Sequence, residues 1–347
     1  MTTRRAVESP AVWRARDVAD PLSWTWTFSP EERADIVTAA TAAERRGRNT
    51  ATVTKGDFDI PHLRPKVEAW VEALDRGRGF VLLRDFPIGQ LSTSQIELAY
   101  VGLGLQFGTP VGQDADATLL GHVRDEGVPR TEPGVRFYRT RQRQDFHTDG
   151  SDIVGLLCLE SAQSGGESRI ASSLAVYNEI LRRRLDLLNV LYEPMCWDRN
   201  NEQSAGEDPF FSLPVLNDVA GMPRVFFIGW YIRDAQRHSG APRLTEAQME
   251  AMALIESIAN DPAYHLQMEF KPGDIQLLSN AKILHSREAF VDHPEPERRR
   301  HLLRLWLTAY AFVSVDDVLR RGIPAQVKPP TSSGAELPIA ADDGSAG

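Results

Sequence analysis

The stretch Phe146-His147-Thr148-Asp149-Gly150 places an imidazole and a carboxylate two residues apart. On an extended segment, residues two apart project from the same side of the chain, so His147 and Asp149 would face one site. Such a pair can occur by chance in a chain with eight histidines. Taken alone, it is more typical of a loop histidine beside a solvated aspartate than of a metal site.

A third possible ligand farther along the chain changes this interpretation. Two histidines and one carboxylate are the usual ligand set of non-haem Fe(II) oxygenases. Three later histidines, His285, His293 and His301, compete for the remaining position. His293 precedes Pro294 in a charged loop, so we expect it to be exposed to solvent. His285 follows the predicted strand 275–280 after a short turn and therefore suits the end of an adjacent strand.

The stretch from Arg300 to Thr308 argues against His301 and singles out two arginines. It alternates with the period of two that is typical of a strand. The odd positions are mainly leucine, and His301 shares their side of the strand. The even positions include Arg300 and Arg304. A guanidinium between leucines is costly without a counter-charge, so Arg304 predicts a bound anion.

Together these motifs resemble the taurine dioxygenase and 2,4-dichlorophenoxyacetate dioxygenase (TauD/TfdA) family of clavaminate synthase-like oxygenases. The resemblance runs from about residue 79 to residue 312. It rests on His147-Thr148-Asp149, Gly165-Gly166-Glu167-Ser168, Pro272-Gly273-Asp274, and His285 with Arg300-x-x-x-Arg304. It implies a mostly β fold with flanking helices, built on a double-stranded β-helix (jelly-roll, cupin-like) core.

The resemblance also implies roles for individual residues. The implied ligands of Fe(II) are His147, Asp149 and His285. Arg300 would bind the distal carboxylate of the cosubstrate 2-oxoglutarate, and Ser168 occupies the position of a family threonine that helps to hold it. Dioxygen would be the second cosubstrate. Arg304 matches a position that contacts an acidic group of the substrate in several relatives.

The implied enzyme is an Fe(II)- and 2-oxoglutarate-dependent dioxygenase. It would hydroxylate a C–H bond of a small substrate that carries a carboxylate, and release succinate and carbon dioxide. Desaturation, epoxidation and cyclisation use the same ligands and are alternatives. A zinc-dependent hydrolase could use the same triad with a metal-bound water, but it gives no role to two inward arginines. A non-catalytic metal-binding protein would leave the long irregular segments without a purpose.

Composition narrows the class of partner. The chain has 347 residues and a formal charge of -9. This acidic balance disfavours nucleic-acid and anionic-membrane partners, because both require a basic surface. The N-terminus shows no apolar signal segment, and neither Cys158 nor Cys196 has a metal-binding spacing. We therefore expect a cytoplasmic protein that acts on a small molecule, and the sequence also allows a homo-oligomer.

The chain is expected to form one oxygenase domain over residues 1–324. Helices begin at Ser29-Pro30-Glu31-Glu32 and at the capping box that starts with Thr245, the latter running through Ile255. Segments near 108–144 and 198–223 show little apolar periodicity, and we interpret them as lid insertions, because long loops in compact domains are usually functional. Pro, Ser, Gly and Asp dominate the stretch 325–347, which predicts a disordered tail.

Overall fold

The computed structural model describes residues 4–114, 116–128, 135–203, 205–219 and 221–310. The predicted tail 325–347 therefore lies outside the described residues. The helices are α1 Pro30–Arg45, α2 Arg64–Asp75, α3 Thr93–Gly104, α4 Ser173–Arg183, α5 Leu185–Val190, α6 Gly229–Asp234 and α7 Glu246–Asn260. The strands are β1 Thr25–Thr27, β2 Phe80–Arg84, β3 Gly108–Pro110, β4 Leu120–Val123, β5 Gln144–His147, β6 Ile153–Glu160, β7 Ser164–Gly165, β8 Ser168–Ser172, β9 Pro194–Asp198, β10 Phe210–Pro214, β11 Leu216–Val219, β12 Met222–Val225, β13 His265–Met268, β14 Ile275–Ser279, β15 Ile283–Arg287, β16 Phe290–Val291 and β17 His301–Ala309.

Two sheets form the centre of the fold. The large sheet has the strand order β1-β2-β14-β6-β17-β3, and β4 also pairs with β17. The small sheet has the order β13-β8-β15-β5. The inner sides of the two sheets pack together through buried apolar residues, among them Phe80 and Leu302 of the large sheet and Ile170 and Ile283 of the small sheet. This two-sheet sandwich is the architecture that the resemblance implied.

Helices cover the outer side of each sheet. On the large sheet, Ile36 of α1, Trp70 of α2 and Leu103 of α3 join one core with Leu303 and Leu305 of β17. Helices α4, α5 and α7 pack in the same way against the small sheet. The odd-numbered side of β17 therefore faces helices, which leaves its even-numbered side for the interior between the sheets.

Local signals account for several helix boundaries. Ser29 caps α1 and forms a capping box with Glu32, and Thr245 forms the predicted box with Gln248 at the start of α7. α7 continues to Asn260, five residues beyond the predicted end at Ile255. These boxes satisfy backbone N–H groups that a helix start would otherwise leave unpaired.

The two segments expected to be irregular contain strands, and this expectation is corrected. Within 108–144, β3 and β4 pair with β17, and the segment ends at the first residue of β5, which pairs with β15. Within 198–223, β10 pairs with β9, and β11 pairs with β12. The short strands β3 and β4 are ordered by the backbone of β17 rather than by an apolar alternation of their own. Their role as lids stays a prediction.

Within the described part of the chain, no helix combines the length and apolar character needed to span a membrane. Cys158 and Cys196 are both buried free thiols. The cytoplasmic location and the oligomeric state stay predictions.

Candidate active site

The pairing of β5 with β15 brings two histidines together. His147 ends β5 and lies directly opposite His285 in the antiparallel register. Their ring centroids are 4.1 Å apart. Asp149 follows β5 by two residues, and its backbone N–H donates to Asn280 Oδ1 at 3.0 Å. The loop after β5 thus carries the carboxylate to the two rings.

The side chains of His147, Asp149 and His285 form one buried cluster. One ligand atom from each lies within 4.8 Å of the others. Oδ1 of Asp149 is 3.8 Å from Nε2 of His147, and Oδ2 is 3.7 Å from Nε2 of His285. Nδ1 of His147 lies 2.8 Å from the carbonyl oxygen of Asp145, which can only accept, so Nδ1 carries the proton and Nε2 keeps a lone pair. This donor set fits Fe(II).

Electrostatics place Asp149 and His147 in the protonation states that a metal requires. Burial opposes ionisation of Asp149, but the charge of the neighbouring Arg304 outweighs it and holds the pKa of this carboxyl well below its usual range. Burial, and after it the neighbouring His285, lowers the pKa of His147 to about 3. Asp149 is therefore an anion and His147 a neutral imidazole near neutral pH, as metal ligation needs.

Two side chains from the even-numbered side of β17 lie next to the Asp149 carboxylate. Trp306 Nε1 donates to Asp149 Oδ2 at 2.9 Å, and Arg304 Nη1 lies 3.6 Å from the same oxygen. Gln113 holds Arg304 in place, because its Oε1 accepts from Arg304 Nε at 2.7 Å and its Nε2 donates to the Arg304 carbonyl at 2.8 Å. Arg304 thus has a fixed orientation beside the triad.

A pocket that is partly open to solvent lies in front of the triad. Its wall contains Arg304 together with aromatic residues such as Trp230, Tyr231 and Phe211. Arg136 of segment 108–144 and Glu202 of segment 198–223 form an ion pair at 2.5 Å in the same wall. The two segments therefore meet at the pocket.

Arg300 and Ser168 are both buried. Arg300 immediately precedes β17, and its Nη1 has no hydrogen-bond partner within the described ranges. The Ser168 hydroxyl donates to Gln276 Oε1 at 3.1 Å. Ser168 starts β8 and lies opposite Arg287 of β15. A buried guanidinium with unused N–H groups fits a carboxylate such as that of 2-oxoglutarate.

His301 lies apart from the triad. Its Nε2 is 2.9 Å from Nδ1 of His122 on the neighbouring strand β4. Two further residues of the site, Gln113 and Trp306, were not predicted from the sequence. Trp306 could have been predicted, because the alternation of β17 places it on the same even-numbered side as Arg304. No sequence pattern indicated a role for Gln113, because it lies in a segment without apolar periodicity.

Comparison with known proteins identifies a family and a full-length relative. The family model described as "Taurine catabolism dioxygenase TauD, TfdA family" matches residues 44–306. The FR-33289 synthase of Streptomyces rubellomurinus (strain ATCC 31215) is 29% identical over 336 residues, which cover 94% of this chain and 98% of the relative.

Solved structures share the fold at lower identity. An asparagine oxygenase in complex with Fe(II), 2S,3S-3-hydroxyasparagine and succinate is 17% identical with a TM-score of 0.62, covering 82% of this chain and 94% of that chain. The non-heme iron oxygenase OrfP in complex with Fe and alpha-ketoglutaric acid is 16% identical with a TM-score of 0.57, covering 82% of this chain and 94% of that chain. The prediction of a mostly β fold with flanking helices around a jelly-roll core is confirmed.

Proposed function

The chain belongs to the TauD/TfdA family of dioxygenases, and we propose that it hydroxylates a C–H bond of a small anionic substrate. The protein is an Fe(II)- and 2-oxoglutarate-dependent dioxygenase. The observation that carries the proposal is the buried cluster of His147, Asp149 and His285, with Arg304 beside it.

In the proposed mechanism, His147, Asp149 and His285 hold the iron. Together with 2-oxoglutarate and dioxygen, the bound iron supplies the oxidising chemistry, in which the cosubstrate becomes succinate and carbon dioxide. The Asp145 carbonyl orients the His147 ring through Nδ1, and Trp306 orients the Asp149 carboxylate through Oδ2. These contacts hold the donor atoms before the metal arrives, which lowers the cost of assembling the site.

We assign the distal carboxylate of 2-oxoglutarate to Arg300 and Ser168. Both are buried, and the unpartnered Nη1 of Arg300 can donate to an anion. A carboxylate bound by a guanidinium forms charge-assisted hydrogen bonds, which are stronger than those between neutral groups.

We assign the anionic group of the substrate to Arg304. This arginine lines the pocket beside the triad, and Gln113 fixes its direction. Aromatic side chains in the same wall would exclude water around the reacting carbon. The similar asparagine oxygenase holds a hydroxylated amino acid, which also carries a carboxylate.

The test is anaerobic addition of Fe(II) and 2-oxoglutarate to the full chain. We expect a visible charge-transfer band in the wild-type protein and its loss in His285→Ala. Absence of the band together with tight zinc binding would favour a zinc hydrolase instead. Candidate acids and amino acids are then screened for substrate-stimulated formation of succinate. Turnover of neutral compounds alone would contradict the anionic substrate class.

A further inference from the structure

Two buried arginines share one aromatic ring near the metal triad. Arg287 follows His285 by two residues on β15, so both side chains project from the same side of this strand. The guanidinium carbon of Arg287 lies 4.9 Å from the centre of the Phe290 ring, and that of Arg300 lies 5.1 Å from the same centre. Arg287 and Arg300 are only 6% and 5% exposed. We call them the guanidinium pair.

The guanidinium pair has more donors than partners. Nε and Nη1 of Arg287 and Nη1 of Arg300 make no hydrogen bond to any residue that the structure describes. Nη2 of Arg287 donates to the carbonyl of Gln142. Asp292 accepts the backbone N–H of Arg300 at 2.8 Å. Its carboxylate attracts both guanidiniums through space, but among the described residues it forms no ion pair with either. Two neighbouring buried cations without a bound carboxylate are unfavourable, so this place suits an anion.

The surroundings indicate which anion the pair would bind. Arg287 lies opposite Ser168 in the β15–β8 register, so the two side chains are neighbours on one side of the small sheet. Gly166 has a φ of +78°, and a Cβ at this position would approach Arg300 Nε to 3.0 Å. The glycine thus leaves room for the Arg300 guanidinium. Arg287 therefore lies beside both residues that we assigned to the distal carboxylate of 2-oxoglutarate.

We propose that Arg287 is a second cation of the cosubstrate site and binds the distal carboxylate of 2-oxoglutarate together with Arg300. This inference rests on the proposed function. Two guanidiniums recognise the position of a carboxylate more selectively than one, because each supplies directional donors. The pair would therefore discriminate against 2-oxo acids that end in a methyl group.

The test measures binding without turnover. The full chain with Fe(II) is titrated anaerobically with 2-oxoglutarate, and separately with 2-oxopentanoate, which has the same chain but no distal carboxylate. Dissociation constants are obtained by calorimetry and by the charge-transfer absorbance. We expect Arg287→Gln to weaken 2-oxoglutarate at least tenfold and to change 2-oxopentanoate less than twofold. Arg287→Lys keeps the positive charge, so we expect a smaller loss of affinity for 2-oxoglutarate and again less than a twofold change for 2-oxopentanoate.

Arg169→Gln is the matched control. Arg169 is also 6% exposed and belongs to β8, but it pairs with Glu288 at 2.7 Å and with Ser286 at 3.2 Å on the other side of the sheet. Its removal should leave the affinity for 2-oxoglutarate within twofold.

Three results would overturn the inference. Unchanged affinity for 2-oxoglutarate in Arg287→Gln, an equal loss for both 2-oxo acids, or an equal loss in the Arg169→Gln control would each show that Arg287 acts structurally or elsewhere. In all three cases the wild-type protein still binds 2-oxoglutarate. Failure of the proposed function is distinguishable, since the wild-type protein itself would then bind no 2-oxoglutarate.

Discussion

The Arg304 guanidinium lies 3.6 Å from the Asp149 carboxylate, the same carboxylate that completes the His147–His285 cluster. One buried anion therefore faces a cation and the metal position together. A bound metal would neutralise part of the charge of Asp149, so the Arg304 guanidinium would lose part of its counter-charge. A substrate anion at Arg304 would replace this counter-charge and stabilise the site with the metal bound.

The two arginines before and within β17 should affect different ligands. We expect Arg304→Lys to weaken the apparent affinity for the substrate about tenfold, equal to about 1.4 kcal/mol, because lysine cannot reproduce the planar fork. Arg300→Lys should mainly weaken 2-oxoglutarate. Steady-state titration of each ligand at saturation of the other gives the two affinities.

If the two effects were reversed, the roles of Arg300 and Arg304 would have to be exchanged. If amides and esters of the substrate turned over as well as the acid, the anion-binding role of Arg304 would be lost.

Removal of any one triad residue should abolish metal binding. We expect His147→Ala, Asp149→Ala and His285→Ala to lose Fe(II) binding and coupled turnover, because each removes one of three protein donors. Calorimetric titration under anaerobic conditions measures the binding. His301→Ala is the control, since His301 contacts His122 instead of the triad. The assignment would be wrong if His301→Ala abolished binding while His285→Ala preserved it.

The hydrogen bond from the Trp306 indole to Asp149 should increase the affinity for Fe(II). Trp306→Phe removes the N–H that donates to Asp149 Oδ2 at 2.9 Å. We expect a loss of about 10- to 100-fold in Fe(II) affinity, the range seen when a hydrogen-bond partner of a metal ligand is removed. Competition with a chelator measures this affinity. Trp24→Phe provides a comparison, because its indole donates to the Val18 carbonyl at 2.9 Å. Equal affinity in wild type and Trp306→Phe would count against the prediction.

Segment 108–144 should close over the pocket when substrate binds. Closure would exclude water from the reacting centre. We expect trypsin to cut this segment several-fold more slowly when cosubstrate and substrate are both bound. Glu202→Gln should reduce this protection, because it weakens the ion pair with Arg136 that joins the two segments. Cleavage at the same rate with and without ligands would refute closure.

His301 should make the stability of the metal-free protein depend on pH. Burial, and after it His122 and Arg124, lower the pKa of His301 to about 4 from the ordinary value of 6.5. Between these values the unfolded chain binds more protons, so the free energy of unfolding falls as the pH falls from about 6.5 to about 4. We expect His301→Gln to reduce this fall by about 1 kcal/mol, since the ring is only half-buried.

Urea unfolding of wild type and variant near pH 7.5 and near pH 5 measures the difference. His293→Gln, in the loop before β17, serves as the reference. A wild-type and a His301→Gln protein with the same pH dependence would show that His301 does not contribute.

Several elements of the site could be predicted because their signals are local. His147 and Asp149 are two residues apart, and the alternation of β17 separates Arg304 from the leucines within nine residues. The helix start at Ser29 and the capping box at Thr245 are likewise short patterns. Such short patterns are reliable because local geometry decides which side chains share a side: residues two apart in a strand, and three or four apart in a helix.

Other features depend on partners that are distant in the chain. The segments β3 and β4 form strands because they pair with β17. The same pairing brings Gln113 to Arg304. No local periodicity marks them, so the sequence predicted loops there.

Local patterns were enough to identify the candidate ligands and the side of the strand on which each of them lies. The pairing and packing of distant strands place His285 opposite His147, bring Asp149 within reach of Arg304, and bring Arg287 and Arg300 to one aromatic ring. Strand pairing is a long-range contact whose register is set by the packing of both sheets, and a local pattern does not contain that information.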